Sequence, residues 1–213
     1  MGIHHYFKSL SDLETLVRCP GRFKYHEHNV ASHSFKVTKI SQFLGTVEEQ
    51  NGQEVDWKAL YEKSLNHDYA ELFTGDIKTP VKYASAELRE LFSQVEDQMV
   101  KKFIDTEIPP QFQDVYRERF KEGKDASLEG QILSVADKID LLYESFGEIQ
   151  KGNPDPLFME IYEGALSTIM KFRELECVRY FLDYILPDML SEKFIPHSEL
   201  KERTERLIQS ADE

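Results

Sequence analysis

Apolar residues in this chain recur at helical spacing, and no run alternates apolar with polar residues for long enough to make a half-buried strand. A strand needs a period of two to present one apolar face, so this pattern restricts the fold to a packing of helices. We therefore expect an all-α protein. The spacing predicts helices over Phe7–Arg18, Val30–Leu44, Asp56–Asn66, Ser85–Ile104, Pro110–Lys121, Ser127–Gln150, Asp155–Lys171, Leu175–Leu190 and Ser198–Ser210. Breaks are expected at Cys19-Pro20-Gly21, Gly45, Gly75, Pro109-Pro110, Gly123, Gly152 to Pro154, and Pro187. These breaks are short, and neither a low-complexity linker nor a fixed-period repeat interrupts them. The expectation is a single domain over residues 1–213, with C-terminal helices at about 155–210 packing on a core at about 18–150.

Charge and composition narrow the partners. With 26 Lys+Arg against 39 Asp+Glu, the 213 residues carry a formal charge of −13, which argues against polymeric nucleic acid and anionic membrane as partners. No stretch approaches the ~20 consecutive apolar residues of a membrane-spanning helix, and Met1 to Leu16 lacks the order of a signal peptide. Two cysteines, Cys19 and Cys177, make a disulfide scaffold improbable, so a reducing cytoplasm is expected.

The chemistry lies in polar groups placed where a helix should bury its face. His33 precedes Val37, Ile40 and Leu44 at i+4, i+7 and i+11, which sets its imidazole on the core stripe. Such a residue is either a core histidine satisfied by a carbonyl or a ligand at a cleft floor. His67-Asp68 ends a helix carrying Leu60, Tyr61 and Leu65, and Glu71 and Asp76 follow it. Asp137 stands in Ile132-Leu133-Ser134-Val135-Ala136-Asp137-Lys138-Ile139-Asp140-Leu141-Leu142, where it is either a buried carboxylate needing a cation or a surface partner of Lys138. His33, His67-Asp68 and Asp137 sit on three predicted helices. Two imidazoles and two carboxylates form a mixed nitrogen and oxygen set suited to one divalent ion, with Co, Mn, Mg, Zn and Fe all admitted by the ligand types.

This H…HD…D pattern resembles the HD-domain phosphohydrolases. Within them the chain is most similar to the YfbR-type 5′-deoxynucleotidases, through Arg18, Asn29-Val30-Ala31-Ser32-His33-Ser34, and above all the run from His67 to Tyr83. The resemblance implies a helical HD-domain fold and a metal-dependent phosphomonoesterase that cleaves (deoxy)nucleoside 5′-monophosphates. His33, His67, Asp68 and Asp137 would hold the metal, and Glu71 would be the catalytic carboxylate. Arg18 would grip the phosphate, and Asp76 would contact the sugar or the attacking water. The resemblance also implies a homodimer, for which Asp155–Lys171 and Leu175–Leu190 offer apolar faces that equally suit a monomer core. Competing readings are an HD phosphodiesterase, a deoxynucleoside triphosphohydrolase, and a non-catalytic nucleotide-binding module.

Two positions depart from the family pattern. Cys19 stands where tryptophan follows the arginine, which could admit a ribose 2′-hydroxyl, and Ser32 stands where glutamate precedes the first metal histidine. Lys78 and Lys82 could add positive potential for an anionic substrate, although solvated lysines need no such role, and Lys124, in the loop Lys121-Glu122-Gly123-Lys124-Asp125, could border the base pocket or simply form a polar turn. Cys177, set among Val178, Phe181 and Leu182, reads as a buried inert thiol.

Overall fold

The computed structural model describes residues 2–77, 85–121, 123–192 and 197–211, so the expectations for Lys78 and Lys82 lie outside the described residues. The fold is all-α, as the periodicity requires; the only β feature among these residues is an isolated antiparallel bridge, Val17 to Asn29. The helices are α1 (Ile3–Thr15), α2 (Val30–Gln50), α3 (Trp57–Asn66), α4 (Glu71–Thr74), α5 (Ala86–Glu107), α6 (Gln113–Arg119), α7 (Leu128–Gln150), α8 (Leu157–Met170), α9 (Glu176–Tyr180), α10 (Leu186–Ser191) and α11 (His197–Ala211). A 3₁₀ turn, Pro110–Phe112, precedes α6, and a π-helical turn, Phe181–Ile185, joins α9 to α10.

The chain divides into two compact units. The first takes Met1–Arg22, Glu27–Phe35 and Glu62–Gly123; the second takes Phe23–His26, Lys36–Tyr61 and Lys124–Glu213. In the first, Leu13, Val30, Tyr69, Phe103, Ile104 and Ile108 are buried together, with Tyr6, Phe73, Tyr116 and Phe120 packed on them. This core is aromatic, and its rings meet edge-on or tilted, apart from Tyr69 and Phe120, which stack with centroids 4.6 Å apart.

The second unit is organised by α7, which is apolar in most directions and is accordingly buried along most of its length. Ser127 caps it by accepting the Gly130 N–H at 3.1 Å, and Asp125 in turn accepts the Ser127 N–H at 3.0 Å. Gly130 is required there, since a Cβ would lie 2.7 Å from the Asp125 backbone nitrogen. Helix α8 packs along α7 through Phe158, Tyr162, Ala165, Leu166 and Ile169. Val178, Phe181 and Leu186 are buried in the same core, so the apolar faces of both C-terminal segments serve packing within the unit.

Two sequence expectations need correction. Gly45 does not end α2, which runs on to Gln50; a Cβ at Gly45 would meet Leu60 at 2.9 Å and Trp57 at 3.1 Å, so the glycine marks close approach of α3. Pro187 does not end the helical run either. It lacks an N–H, and just before it the Leu186 N–H bonds to the Phe181 carbonyl, five residues back, so the helix widens by one residue and continues.

Candidate functional site

The bridge Val17 to Asn29 pins the strand-like segment before Arg18 against the start of α2. Arg18 donates its N–H to the His28 carbonyl at 2.9 Å, and Val30 donates to Leu16 at 3.0 Å. Asn29 then caps α2. Its Oδ1 accepts the Ser32 N–H at 2.8 Å while its own N–H points to Ser32 Oγ at 3.4 Å, a reciprocal capping pair with serine in the usual place of glutamate. Ser32 thus has a local role that fixes the first turn, from which His33 projects inward with no exposed surface.

His67 follows the last residue of α3. Its Nδ1 lies 2.9 Å from the Ser64 carbonyl, which can only accept, so Nδ1 carries a proton and Nε2 is the ring nitrogen that faces inward. That nitrogen is 3.2 Å from His33 Nε2, and Asp68 Oδ2 is 3.2 Å from both. Three donor atoms therefore form a nearly equilateral triangle. Neighbouring ligands on an ion with bonds of about 2.0–2.2 Å have this separation. Two imidazole nitrogens and a carboxylate oxygen at this spacing are a donor set that fits a divalent ion. His33, His67 and Asp68 satisfy the spacing of a metal-binding group.

Tyr69 holds the turn that presents these ligands. Ser9 donates its hydroxyl hydrogen to the Tyr6 carbonyl at 2.7 Å, so the Tyr69 phenol donates to Ser9 Oγ at 2.8 Å. Burial raises the phenol pKa above its ordinary value, which keeps it neutral. Nothing in the sequence pairs Ser9 with Tyr69 across 60 residues. Tyr69→Ala removes a buried ring from this core at a cost of about 3–5 kcal/mol, and thermal unfolding should show a melting temperature lower by roughly 10 °C. Tyr69→Phe loses one hydrogen bond, worth ~1 kcal/mol, and should fall by a few degrees only.

After Tyr69 the chain makes the single turn of α4, so Glu71 shares the side of the HD ligands. Its Oε2 is buried and has no hydrogen-bond partner among the described residues. Burial first, then the negative charges of Asp68 and Asp76, push its pKa up to about 9, against weaker pulls from Arg18 and His33. Gly75, at φ +74°, ends α4 and turns the chain back, and the Asp76 carboxylate accepts the Cys19 N–H at 2.8 Å. Cys19 itself sits at φ +51°, a left-handed conformation uncommon for a residue with a Cβ. Arg18, with 11% of its side chain exposed, places Nη1 3.6 Å from Asp68 Oδ2. Arg18, Cys19, His33, His67, Asp68, Glu71 and Asp76 thus all belong to the first unit.

Asp137 belongs to the second unit. Its side chain is 6% exposed and receives Lys124 Nζ at 2.8 Å and Lys138 Nζ at 3.0 Å. The carboxylate is therefore buried and paired with two ammonium groups, the neighbouring Lys138 among them. One turn on, Asp140 and Glu144 receive Lys36 Nζ at 2.8 and 3.1 Å. The segment from Phe23 to His26 is tied down from the same helix, as Glu148 accepts the Tyr25 and His26 N–H groups at 2.9 and 3.0 Å.

Comparison with known proteins places this geometry in context. Residues 5–189 match the family model described as 5′-deoxynucleotidase YfbR-like. A 5′-deoxynucleotidase of Klebsiella pneumoniae is 25% identical over 188 residues, which are 88% of this chain and 92% of that protein. The crystal structure of an HD-domain phosphohydrolase from Listeria innocua is 63% identical, with a TM-score of 0.94 over 99% of this chain and 100% of that one. A cyanophage S-2L HD phosphohydrolase, bound to dA and one catalytic Zn²⁺ ion, shares the fold at 18% identity, with a TM-score of 0.58 over 95% of this chain and 96% of that one.

Proposed function

Since the chain belongs to the YfbR-like 5′-deoxynucleotidase family of HD-domain phosphohydrolases, we propose that it hydrolyses nucleoside 5′-monophosphates to nucleoside and phosphate with one divalent ion. The observation that carries this reading is the 3.2 Å triangle of His33, His67 and Asp68 in the same unit as Arg18 and the buried Glu71. The sequence motif adds Asp137 to the ligand set. A divalent ion held by these residues supplies Lewis-acid polarisation of the phosphate and lowers the pKa of an attacking water.

The chain's own groups supply the rest. Arg18 meets the phosphate with a planar fork of N–H donors and neutralises charge that grows on its oxygens. Arg18→Lys keeps the charge and loses the fork; we expect KM to rise roughly tenfold, read from phosphate release against substrate concentration. Glu71, whose carboxyl holds a proton at neutral pH in the metal-free protein, would give a proton to the departing 5′-oxygen. Asp76, fixed by the Cys19 N–H, orients the sugar or the attacking water.

Cys19 reaches Asp76 through its backbone N–H, and its side chain is smaller than the tryptophan of the family pattern. The protein should accept ribonucleotides alongside deoxyribonucleotides, and Cys19→Trp should shift the ratio of their kcat/KM values toward the deoxy substrate by roughly tenfold. The test of the function is product analysis over deoxy- and ribonucleoside mono- and triphosphates, each with a panel of divalent ions. Nucleoside and inorganic phosphate from the monophosphates are expected. Triphosphate from a triphosphate substrate, or binding with no turnover under any ion, would overturn the reading.

A further inference from the structure

Helix α7 carries four buried carboxylates, Asp137, Asp140, Glu144 and Glu148, none of them more than 8% exposed. They follow one another at steps of three, four and four residues. At 100° per residue they fall within about 80° of one another, so they form one row along the helix. A buried row of like charges is costly unless its members meet donors or cations. Glu148 meets the Tyr25 and His26 N–H groups and the Asn153 amide, the last at 2.7 Å. Asp137 meets two ammonium groups, those of Lys124 and Lys138, on one oxygen.

In the middle of the row the ratio of charges reverses. Asp140 and Glu144, one helical turn apart, receive the same ammonium from Lys36, which lies on α2 and within the same unit. Its Nζ is 2.8 Å from Asp140 Oδ1 and 3.1 Å from Glu144 Oε1, and the two carboxylates are only 2% and 8% exposed. Two carboxylate oxygens converging on one point are donors that suit a hard divalent ion such as Mg²⁺ or Mn²⁺. The ammonium stands at that point. An arriving ion has to break two charge-assisted contacts at once, and until the lysine has left it meets a like charge. Stability alone is a poor reason for such an arrangement, because apolar residues of the same size often match a buried ion pair. Its place gives a better one: Asp140 is one turn from Asp137, the residue of the row that the motif gives to the catalytic ion, and a bare carboxylate pair there would compete for the same ions.

We propose that Lys36 is a resident counter-ion that closes the Asp140–Glu144 pair to metal, so that the chain holds one divalent ion and not two. This rests on the one-ion reading of the function and adds the residue that sets the count.

Equilibrium dialysis of the full chain against Mn²⁺, with the bound ion counted by elemental analysis, tests this without any turnover. Wild type should level off at one ion. Lys36→Met, similar in length and uncharged, should level off at two, with the added ion bound about tenfold or more tightly than any second ion on the wild type. Lys36→Gln also removes the charge, keeps a hydrogen-bond donor, and gives the same count of two should the methionine variant not fold. Lys36→Arg retains a cation and should stay at one. Lys36→Met combined with Glu144→Gln loses one of the two carboxylates and should return to one. Thermal unfolding gives a second reading: Mn²⁺ should raise the melting temperature of Lys36→Met by more than that of wild type. Equal counts in wild type and the neutral variants, or two ions on Lys36→Arg, would overturn the proposal. A wild type with no ion beside a Lys36→Met variant with one would uphold the role of Lys36 and overturn the one-ion reading of the function instead.

Discussion

Asp68→Asn is expected to reduce phosphate release by about a thousandfold, equivalent to ~4 kcal/mol of transition-state stabilisation, while the fold persists. The size follows from position. Asp68 Oδ2 is the atom that faces both His33 Nε2 and His67 Nε2 at 3.2 Å, so replacing it removes one corner of the donor triangle and its only negative charge. The response to ions separates the two proteins. A divalent ion at a hundred times its Kd should stabilise the wild type by about 2.7 kcal/mol, and the variant should gain little at the same concentration. Thermal unfolding with and without the ion reads this directly. An Asp68→Asn protein that keeps wild-type turnover would remove the HD pair from the chemistry.

Glu71→Gln should cost 10²- to 10⁴-fold in kcat, the usual range for losing a positioned proton donor or acceptor, and it should also change stability in a way that depends on pH. In the folded metal-free protein this carboxyl keeps its proton to about pH 9, against an ordinary value of 4.5. The folded state is favoured in full below pH 4.5, and that contribution is lost progressively as pH rises towards 9, because the unfolded chain releases the proton first. Glutamine cannot titrate. At pH 8 the metal-free variant should therefore unfold several degrees above wild type, and the difference should close at pH 4.5. Melting curves over this range check the expectation, and equal melting temperatures at pH 8 would show that Glu71 is not a buried proton carrier.

The two predictions draw on different levels of legibility. His33 could be found from its sequence because the helical period set an ionisable side chain among Val37, Ile40 and Leu44, and burial of an imidazole requires a partner. His67 and Asp68 could be found because adjacent ligands at a helix end can turn onto one point. The proton on His67 Nδ1 could not, since it depends on where the Ser64 carbonyl points. The same holds for Tyr69, whose hydroxyl partner Ser9 lies 60 residues away. Ser32, which departs from the glutamate of the family pattern, is half of the cap that aims His33, a role set by the local Asn29 contact. Gly45 misled for the opposite reason: a glycine punctuates a helix only when its backbone must turn, and here it admits Trp57 and Leu60 instead. The raised pKa of Glu71 was beyond reach, because spacing places the carboxylate but says nothing of the desolvation around it.

If one divalent ion held by His33, His67 and Asp68 makes this chain a phosphatase for nucleoside 5′-monophosphates, activity must follow occupancy of that site. The direct measurement is phosphate release from a deoxynucleoside 5′-monophosphate by metal-stripped protein as a divalent ion is titrated back, with the bound ion counted at each step. Activity should start at baseline, rise in proportion to occupancy and level off at one ion per chain. Full activity in stripped protein, or no activity in protein carrying one bound ion under every metal tried, would contradict the account.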